Sequence, residues 1–172
     1  MRPWFSRQGF LLALFVIATL IGGCGFQPRG VISIPDSLKT LYLQGDERSV
    51  IYQTVERTFE STGVELVDSP ELAPYQVRLI KEQHQRRSAS LNERAKTQEY
   101  ELSALLSYDI QDNAGKTVVK TTHIYTERTY SYDENSVNAK EAEEILLRQE
   151  MRENLAGQLV RRYLKLAEIY SR

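Results

Sequence analysis

The chain has a single cysteine, Cys24, among 172 residues. One thiol excludes an intramolecular disulfide framework, so a folded domain here is held by its core alone. Histidine is nearly as scarce, with only His84 and His123, each in a segment of strand-like composition. Neither has metal-ligand spacing, and no Gly-x-Ser-x-Gly is present, so no metal site, cofactor or hydrolase centre is expected. Glu141, Glu143 and Glu144 fall in a helical segment, where acidic runs form a solvated face rather than a catalytic set. Repeats and low-complexity tails are absent. So is any apolar run of the ~20 residues that a membrane-spanning helix needs. Charge of one sign is lacking too: 22 Lys and Arg stand against 23 Asp and Glu. That balance excludes nucleic-acid binding through a global positive field, so any anion site has to be a local cluster.

What is present begins at the N-terminus. Arg2 and Arg7 give a basic start, Phe10 to Ile21 form an uncharged apolar stretch, and Gly22-Gly23-Cys24 follow. A basic head, a short apolar middle and small residues at the end are the marks of a secretory signal. Ile21-Gly22-Gly23-Cys24 resembles the bacterial lipobox, in which the cysteine sulfur takes a diacylglycerol and cleavage leaves that cysteine at the new N-terminus. The resemblance implies three acyl chains on Cys24, diacylglycerol on sulfur and a fatty acyl (palmitoyl) group on the amino end. At ~0.8 kcal/mol per buried methylene such an anchor is effectively permanent. Gly25 stands where Asp would retain a lipoprotein in the inner membrane, which favours the outer membrane, facing the periplasm. Of the 172 residues, loss of the first 23 leaves 149, enough for one domain with a real core. Loss of Arg2 and Arg7 takes the net charge from −1 to −3. The expected organisation is a signal peptide over 1–23, a lipidated extended leader over 24–37 and a single periplasmic domain over 38–172.

Periodicity places the elements of that domain. Leu38 to Gln44 has strand composition, and Asp46 or Ser49 can cap a helix from about Val50 to Thr62, with Ile51, Val55 and Phe59 on one face and Gly63 at its end. Val64 to Val67 reads as a short strand or a connection. Tyr75, Val77 and Leu79 alternate with polar residues, Ala89 and Leu91 share their parity, and Tyr100, Leu102, Ala104, Leu106, Tyr108 and Ile110 alternate more cleanly. Asp112 to Gly115 is a turn, and Thr117 to Tyr132 is rich in Thr, Val, Ile and Tyr, as strands are. A closing helix runs from about Ala139 to Tyr170, with Asn138 and Glu141 as a capping box. Its expected core stripe is Ile145, Leu155, Leu159, Tyr163, Leu166 and Tyr170, with Ala156 beside it. The order β-α-β-β-β-α predicts an α+β two-layer sandwich: a largely antiparallel sheet of about four strands, covered on one face by two helices.

One hairpin outruns this scheme. Lys81 to Ser88 is polar throughout, and eight such residues project on the order of 25 Å beyond the expected helices. Arg86, Arg87, Arg94 and Lys96 gather near its tip against Glu93 alone. They make a candidate cationic edge for phosphate groups, since arginine forks onto phosphate oxygens. Lys140, in the first turn of the last helix, adds a charge beside unpaired backbone donors. The plain alternative is a solvated hairpin whose charges block edge aggregation.

The segment Cys24-Gly25-Phe26-Gln27-Pro28-Arg29-Gly30 resembles the Cys-Gly-Phe-x-x-Arg-Gly opening of the LPS-assembly lipoprotein family LptE, with Gln27-Pro28 departing from the more usual His-Leu. Leu38-Lys39-Thr40-Leu41, Thr62-Gly63-Val64-Glu65-Leu66 and Ala95-Lys96-Thr97-Gln98-Glu99-Tyr100 resemble later family segments in the same order. The resemblance implies a lipoprotein that plugs the outer-membrane β-barrel LptD, helps that barrel to assemble and binds lipopolysaccharide. Arg94, Lys96 and Lys140, then Arg86 and Arg87, are the candidate lipopolysaccharide contacts. A phospholipid-transport or barrel-assembly accessory, or a structural lipoprotein with no ligand, shares the anchor and differs in its partner. Replacement Cys24→Ala is expected to abolish incorporation of labelled fatty acid, and undiminished labelling would contradict the anchor.

Overall fold

The structure, a computed structural model, describes residues 34–166. The expected signal peptide, Cys24, the leader up to Ser33 and Tyr170 lie outside the described residues. The compact unit begins at Ile34, and a 3₁₀ turn over Asp36–Leu38 already buries Leu38.

Five strands form one sheet: β1 (Thr40–Gln44), β2 (Glu65–Leu66), β3 (Tyr75–Leu91), β4 (Thr97–Asp112) and β5 (Thr117–Ser131). Their spatial order is β2-β1-β3-β4-β5, with β1 parallel to both β2 and β3 and the other pairs antiparallel. The strand count exceeds the expected four because Val64–Val67 contributes a two-residue strand beside β1. Two helices, α1 (Val50–Ser61) and α2 (Val137–Leu164), complete the α+β sandwich. Ser49 caps α1 by accepting from Tyr52 N at 3.2 Å. Gly63 ends the α1 segment at φ +88°, a left-handed conformation that glycine adopts without strain. α2 starts at Val137, and its N-cap Ser136 makes no side-chain cap bond, so the expected Asn138–Glu141 box does not form.

The core lies where both helices meet the sheet. Leu41, Leu43, Val77, Leu102, Leu106 and Ile110 come from the strands, and Ile51, Val55, Phe59, Leu155, Leu159 and Tyr163 come from the helices. Tyr163 takes Phe59 edge-on at 5.4 Å between ring centres and Tyr75 at 6.5 Å, the geometry that ring quadrupoles favour. α1 is about 18 Å long and α2 about 42 Å, at ~1.5 Å per residue. The N-terminal half of α2 therefore has no helix beside it. Instead it lies along the far half of the β3–β4 hairpin.

That far half is where the sequence periodicity misleads. Leu79 pairs with Tyr108 and Lys81 with Ser107, so Ile80 is an extra residue and the strand shifts its parity there. Glu82, His84, Arg86 and Ser88 then stand opposite Leu106, Ala104, Leu102 and Tyr100, on the helix-facing side of the sheet. The shift at Ile80 already takes Ala89 and Leu91 off the parity they were expected to share with Val77, and further shifts follow between Ser88 and Ser90 and between Ser90 and Leu91.

α2 shows the matching departure. Leu155, Ala156, Leu159, Tyr163 and Leu166 are buried as expected, but Ile145 is 68% exposed. The inward stripe runs from Leu155 back through Met151 to Arg148 and Glu144, at helical spacings of four, three and four. Glu144 accepts from the Tyr130 hydroxyl at 2.6 Å and from Arg148 Nε and Nη2 at 2.9 and 2.7 Å, and lies 3.3 Å from Arg86 Nη1. Arg86 in turn sits 3.8 Å over the Tyr100 ring, a cation–π contact. A charged network thus replaces apolar packing between hairpin and helix, and every side-chain polar atom buried among the described residues has a partner.

Burial alone would raise the Glu144 carboxyl, but the bonds from Tyr130 and Arg148 and the charges of Arg86 and Arg148 hold it below the ordinary glutamate range. A folded value below the unfolded one stabilises the protein above the unfolded pKa, and that stabilisation is lost as pH falls through the folded value. Glu144→Gln should therefore lower stability at neutral pH by about 1–3 kcal/mol, the size of a bonded charged group left unmatched. It should also flatten the loss of stability below about pH 4.3. Urea unfolding across pH checks both; an unchanged acid limb would show that Glu144 is not the group concerned.

Candidate functional site

The β3–β4 hairpin closes over Asn92–Lys96. Asn92 Oδ1 accepts from Arg94 N at 2.9 Å and Lys96 N at 3.1 Å, while Asn92 N donates to Lys96 O at 2.8 Å. Ala95 sits at φ +56°, a conformation that costs a residue with a Cβ roughly 1–2 kcal/mol. The β4–β5 turn has the same pattern of bonds to Asp112, with Gly115 in the left-handed place at φ +77°. The two turns differ in having alanine or glycine where the chain reverses.

The far end of β5 and the start of α2 return to this tip. Ser131 pairs with Glu99, and Tyr132 N donates to Gln98 O at 2.8 Å, so the ladder continues to the end of the hairpin. Tyr132 stands edge-on to Tyr100, with 5.2 Å between ring centres. A 3₁₀ turn over Glu134–Ser136, with Asp133 accepting from Asn135 N at 2.9 Å, leads into α2.

Lys96 and Lys140 approach this connection from two sides. Lys96 Nζ lies 2.7 Å from Glu134 Oε2, and Lys140 Nζ lies 3.2 Å from Ser131 Oγ and 2.8 Å from Glu143 Oε2. Arg94 has no carboxylate partner among the described residues. The N-terminus of α2, without a side-chain cap, adds backbone donors beside Lys140. Of the five candidate cations, Arg94, Lys96 and Lys140 share one end of the domain, while Arg86 and Arg87 lie apart.

Arg86 faces the helix layer and is held by Glu144 and Tyr100. Arg87 faces the uncovered side of the sheet and forks onto Glu101 with bonds of 2.7 and 2.9 Å, which draws the Glu101 carboxyl below the ordinary range. Parity separates the two neighbours, and their carboxylate partners already occupy both guanidinium groups. The sequence reading missed Glu144, Tyr130 and Arg148, because Glu144 belongs to an acidic run that looks solvated. The available signal was the helical spacing from Leu155 through Met151 and Arg148 to Glu144.

The histidines lie apart. His84 Nε2 is 2.6 Å from Glu82 Oε1 in β3, and His123 Nδ1 is 2.9 Å from Ser107 Oγ across β4 and β5. Among the described residues, no group of His, Cys, Asp and Glu could hold a metal ion, and no helix is long and apolar enough to cross a membrane.

Known proteins resemble this chain in both sequence and shape. The LptE family, described as lipopolysaccharide-assembly, matches residues 38–163. The LPS-assembly lipoprotein LptE of Pectobacterium atrosepticum is 28% identical over 159 residues, covering 91% of this chain and 85% of that protein. Its counterpart in Yersinia enterocolitica is 30% identical over 161 residues, covering 92% and 77%. Lipoprotein B from Nitrosomonas europaea, solved by NMR, superposes with a TM-score of 0.73 at 21% identity, covering 84% of this chain and 93% of that one. Rare lipoprotein B from Shewanella oneidensis gives 0.65 at 24% identity, covering 76% and 96%. These two likenesses speak for the fold, whereas the family match spans most of the domain with its hairpin tip and both helices. The chain belongs to the LptE family of lipopolysaccharide-assembly lipoproteins.

Proposed function

We propose that this protein is lipid-anchored through Cys24 to the periplasmic side of the outer membrane, plugs and helps assemble the LptD β-barrel, and binds lipopolysaccharide phosphates with Arg94, Lys96 and Lys140. Family membership supports the role in lipopolysaccharide assembly within the cell envelope. The observation that carries the contact residues is the convergence of the hairpin turn and the start of α2, where Lys96 and Lys140 lean on Glu134, Ser131 and Glu143 while Arg94 has no carboxylate partner among the described residues.

The chemistry of the tip suits a phosphate that arrives and leaves. Lys96 and Glu134 are each 54% exposed, so their ion pair is worth only ~0–1 kcal/mol and yields readily to a doubly charged group. Arg94 offers a forked donor face, the two lysines offer point charges, and the helix N-terminus offers its dipole. Arg86 and Arg87 enter this reading as supports that hold the tip rather than as contacts. The protein binds and places its ligand, and no catalytic residue is assigned.

Combined Arg94→Gln, Lys96→Gln and Lys140→Gln should weaken lipopolysaccharide binding at least about tenfold, since charge-assisted bonds contribute roughly 1.5–3 kcal/mol each when made. The thermal transition should barely move, because exposed pairs contribute little to folding. Unchanged affinity in the triple variant would remove the tip from the binding surface. Purification of the tagged protein from native membranes should bring LptD with it; recovery with a phospholipid transporter instead would overturn the assigned partner.

A further inference from the structure

The sheet builds the same turn twice with different side chains. In the β3–β4 turn, Ala95 N donates to Asn92 O and Asn92 N to Lys96 O, while Asn92 Oδ1 accepts from the amides of Arg94 and Lys96. In the β4–β5 turn, Gly115 N donates to Asp112 O and Asp112 N to Lys116 O, while Asp112 Oδ1 accepts from the amides of Ala114 and Lys116. The bonds match one for one, and all lie between 2.8 and 3.1 Å. The left-handed position is also shared, held by Ala95 in one turn and Gly115 in the other.

The difference that bears on a ligand is charge. The accepting position needs only a side-chain oxygen, which Asn and Asp supply alike. Asp112 shows that a carboxylate fits this frame. At the tip the oxygen belongs to a neutral amide instead. Residues 92–96 carry Arg94 and Lys96 against Glu93, a net charge of +1, whereas residues 112–116 carry Lys116 against Asp112, a net charge of 0. An aspartate in place of Asn92 would bring the tip to zero as well. Lys96 and Lys140 already meet carboxylates, Glu134 and Glu143, but those sit on side chains that can swing away when a ligand arrives. A carboxylate at position 92 could not, because two backbone amides would hold it in place. A phosphate held by Arg94 and Lys96 stands within a Debye length of that oxygen, ~8–10 Å, so it would feel the charge.

We propose that Asn92 sets the preference of the hairpin tip for phosphate, because its neutral oxygen fixes the backbone of Arg94 and Lys96 without placing a negative charge beside them. Asn92 is a positioning residue and need not touch the ligand. The inference rests on lipopolysaccharide binding at the tip and deepens it by naming what makes the tip favour a phosphorylated ligand. Ala95 serves the same end, since its Cβ narrows the conformations open to the turn, whereas Gly115 leaves the other turn freer.

The test titrates the full-length lipidated protein and its Asn92→Asp variant in detergent with two ligands. One is lipopolysaccharide, and the other is the same lipopolysaccharide with its lipid A phosphates removed. The variant should bind the phosphorylated form at least about fivefold more weakly, the effect of one fixed charge a few ångströms from a phosphate group. Its affinity for the dephosphorylated form should not change, and exchange protection of the Arg94 and Lys96 amides should match the native protein. Asn92→Ser keeps a neutral acceptor and should bind both ligands as the native protein does. Asp112→Asn, in the other turn, should leave both affinities as they are. Native affinity of Asn92→Asp for the phosphorylated form would overturn the proposal. An equal loss for both ligands would also overturn it, because Asn92 would then only hold the turn together. The triple Gln variant of Arg94, Lys96 and Lys140 separates the two possible failures. Unchanged binding of phosphorylated lipopolysaccharide by that variant removes the tip as the site, and the role of Asn92 with it. Weakened binding by the triple variant, with none in Asn92→Asp, removes the role of Asn92 alone.

Discussion

The bonds from Tyr130 and Arg148 to the Glu144 carboxylate, with Arg86 closing on it from β3, are the interaction on which the shape of the molecule depends. β3 and β4 run well past the part of the sheet that α1 and β1 accompany. A two-stranded ribbon alone is marginal in water, and three strands gain from a packed face. Here β5 supplies the third strand and α2 covers the face, but the covering contact is made by charge and aromatic rings instead of aliphatic side chains. Tyr100, Tyr130 and Tyr132 form the apolar part of that contact, with Arg86 stacked on the first.

A charged contact of this kind has a different logic from the aliphatic core. Leu102, Leu106 and Leu155 pack wherever volume allows, whereas Glu144 is satisfied only when its donors from β3, β5 and α2 arrive together. The network is partly accessible to water, so its net contribution is moderate; what it adds is a fixed register between α2 and the hairpin. That register carries Lys140 to Ser131 and Lys96 to Glu134.

Much of this was readable from the chain. The inward alternation of β4 appears residue by residue, because both of its neighbours are present along its length and no bulge interrupts the inward set from Leu102 to Tyr108. α1 was legible through its cap, its four-residue spacing and Gly63. β3 was not legible beyond Leu79, because one inserted residue at Ile80 exchanges the faces from Lys81 to Ser88, further shifts follow at Ser88/Ser90 and Ser90/Leu91, and composition carries no mark of a bulge. The same inserted residue explains why Arg86 and Arg87 read as one surface patch when Arg86 is turned toward the helix layer and Arg87 away from it. Ile145 misled in the opposite direction: it is apolar but lies about 80° from Leu155 around α2, while Glu144 lies within the stripe. The tip residues Arg94 and Lys96 were legible as a local excess of charge, but their approach to Lys140 is a tertiary fact that no local pattern contains.

Amide hydrogen exchange along β4, compared between the native protein and a Glu144→Ala variant, tests this account most directly. If the carboxylate network fastens the hairpin to α2, protection should fall in the variant from Tyr100 to Ala104 and stay intact from Leu106 to Ile110, where the aliphatic core holds the strand. Protection unchanged at Tyr100–Ala104, or lost evenly along β4, would contradict it.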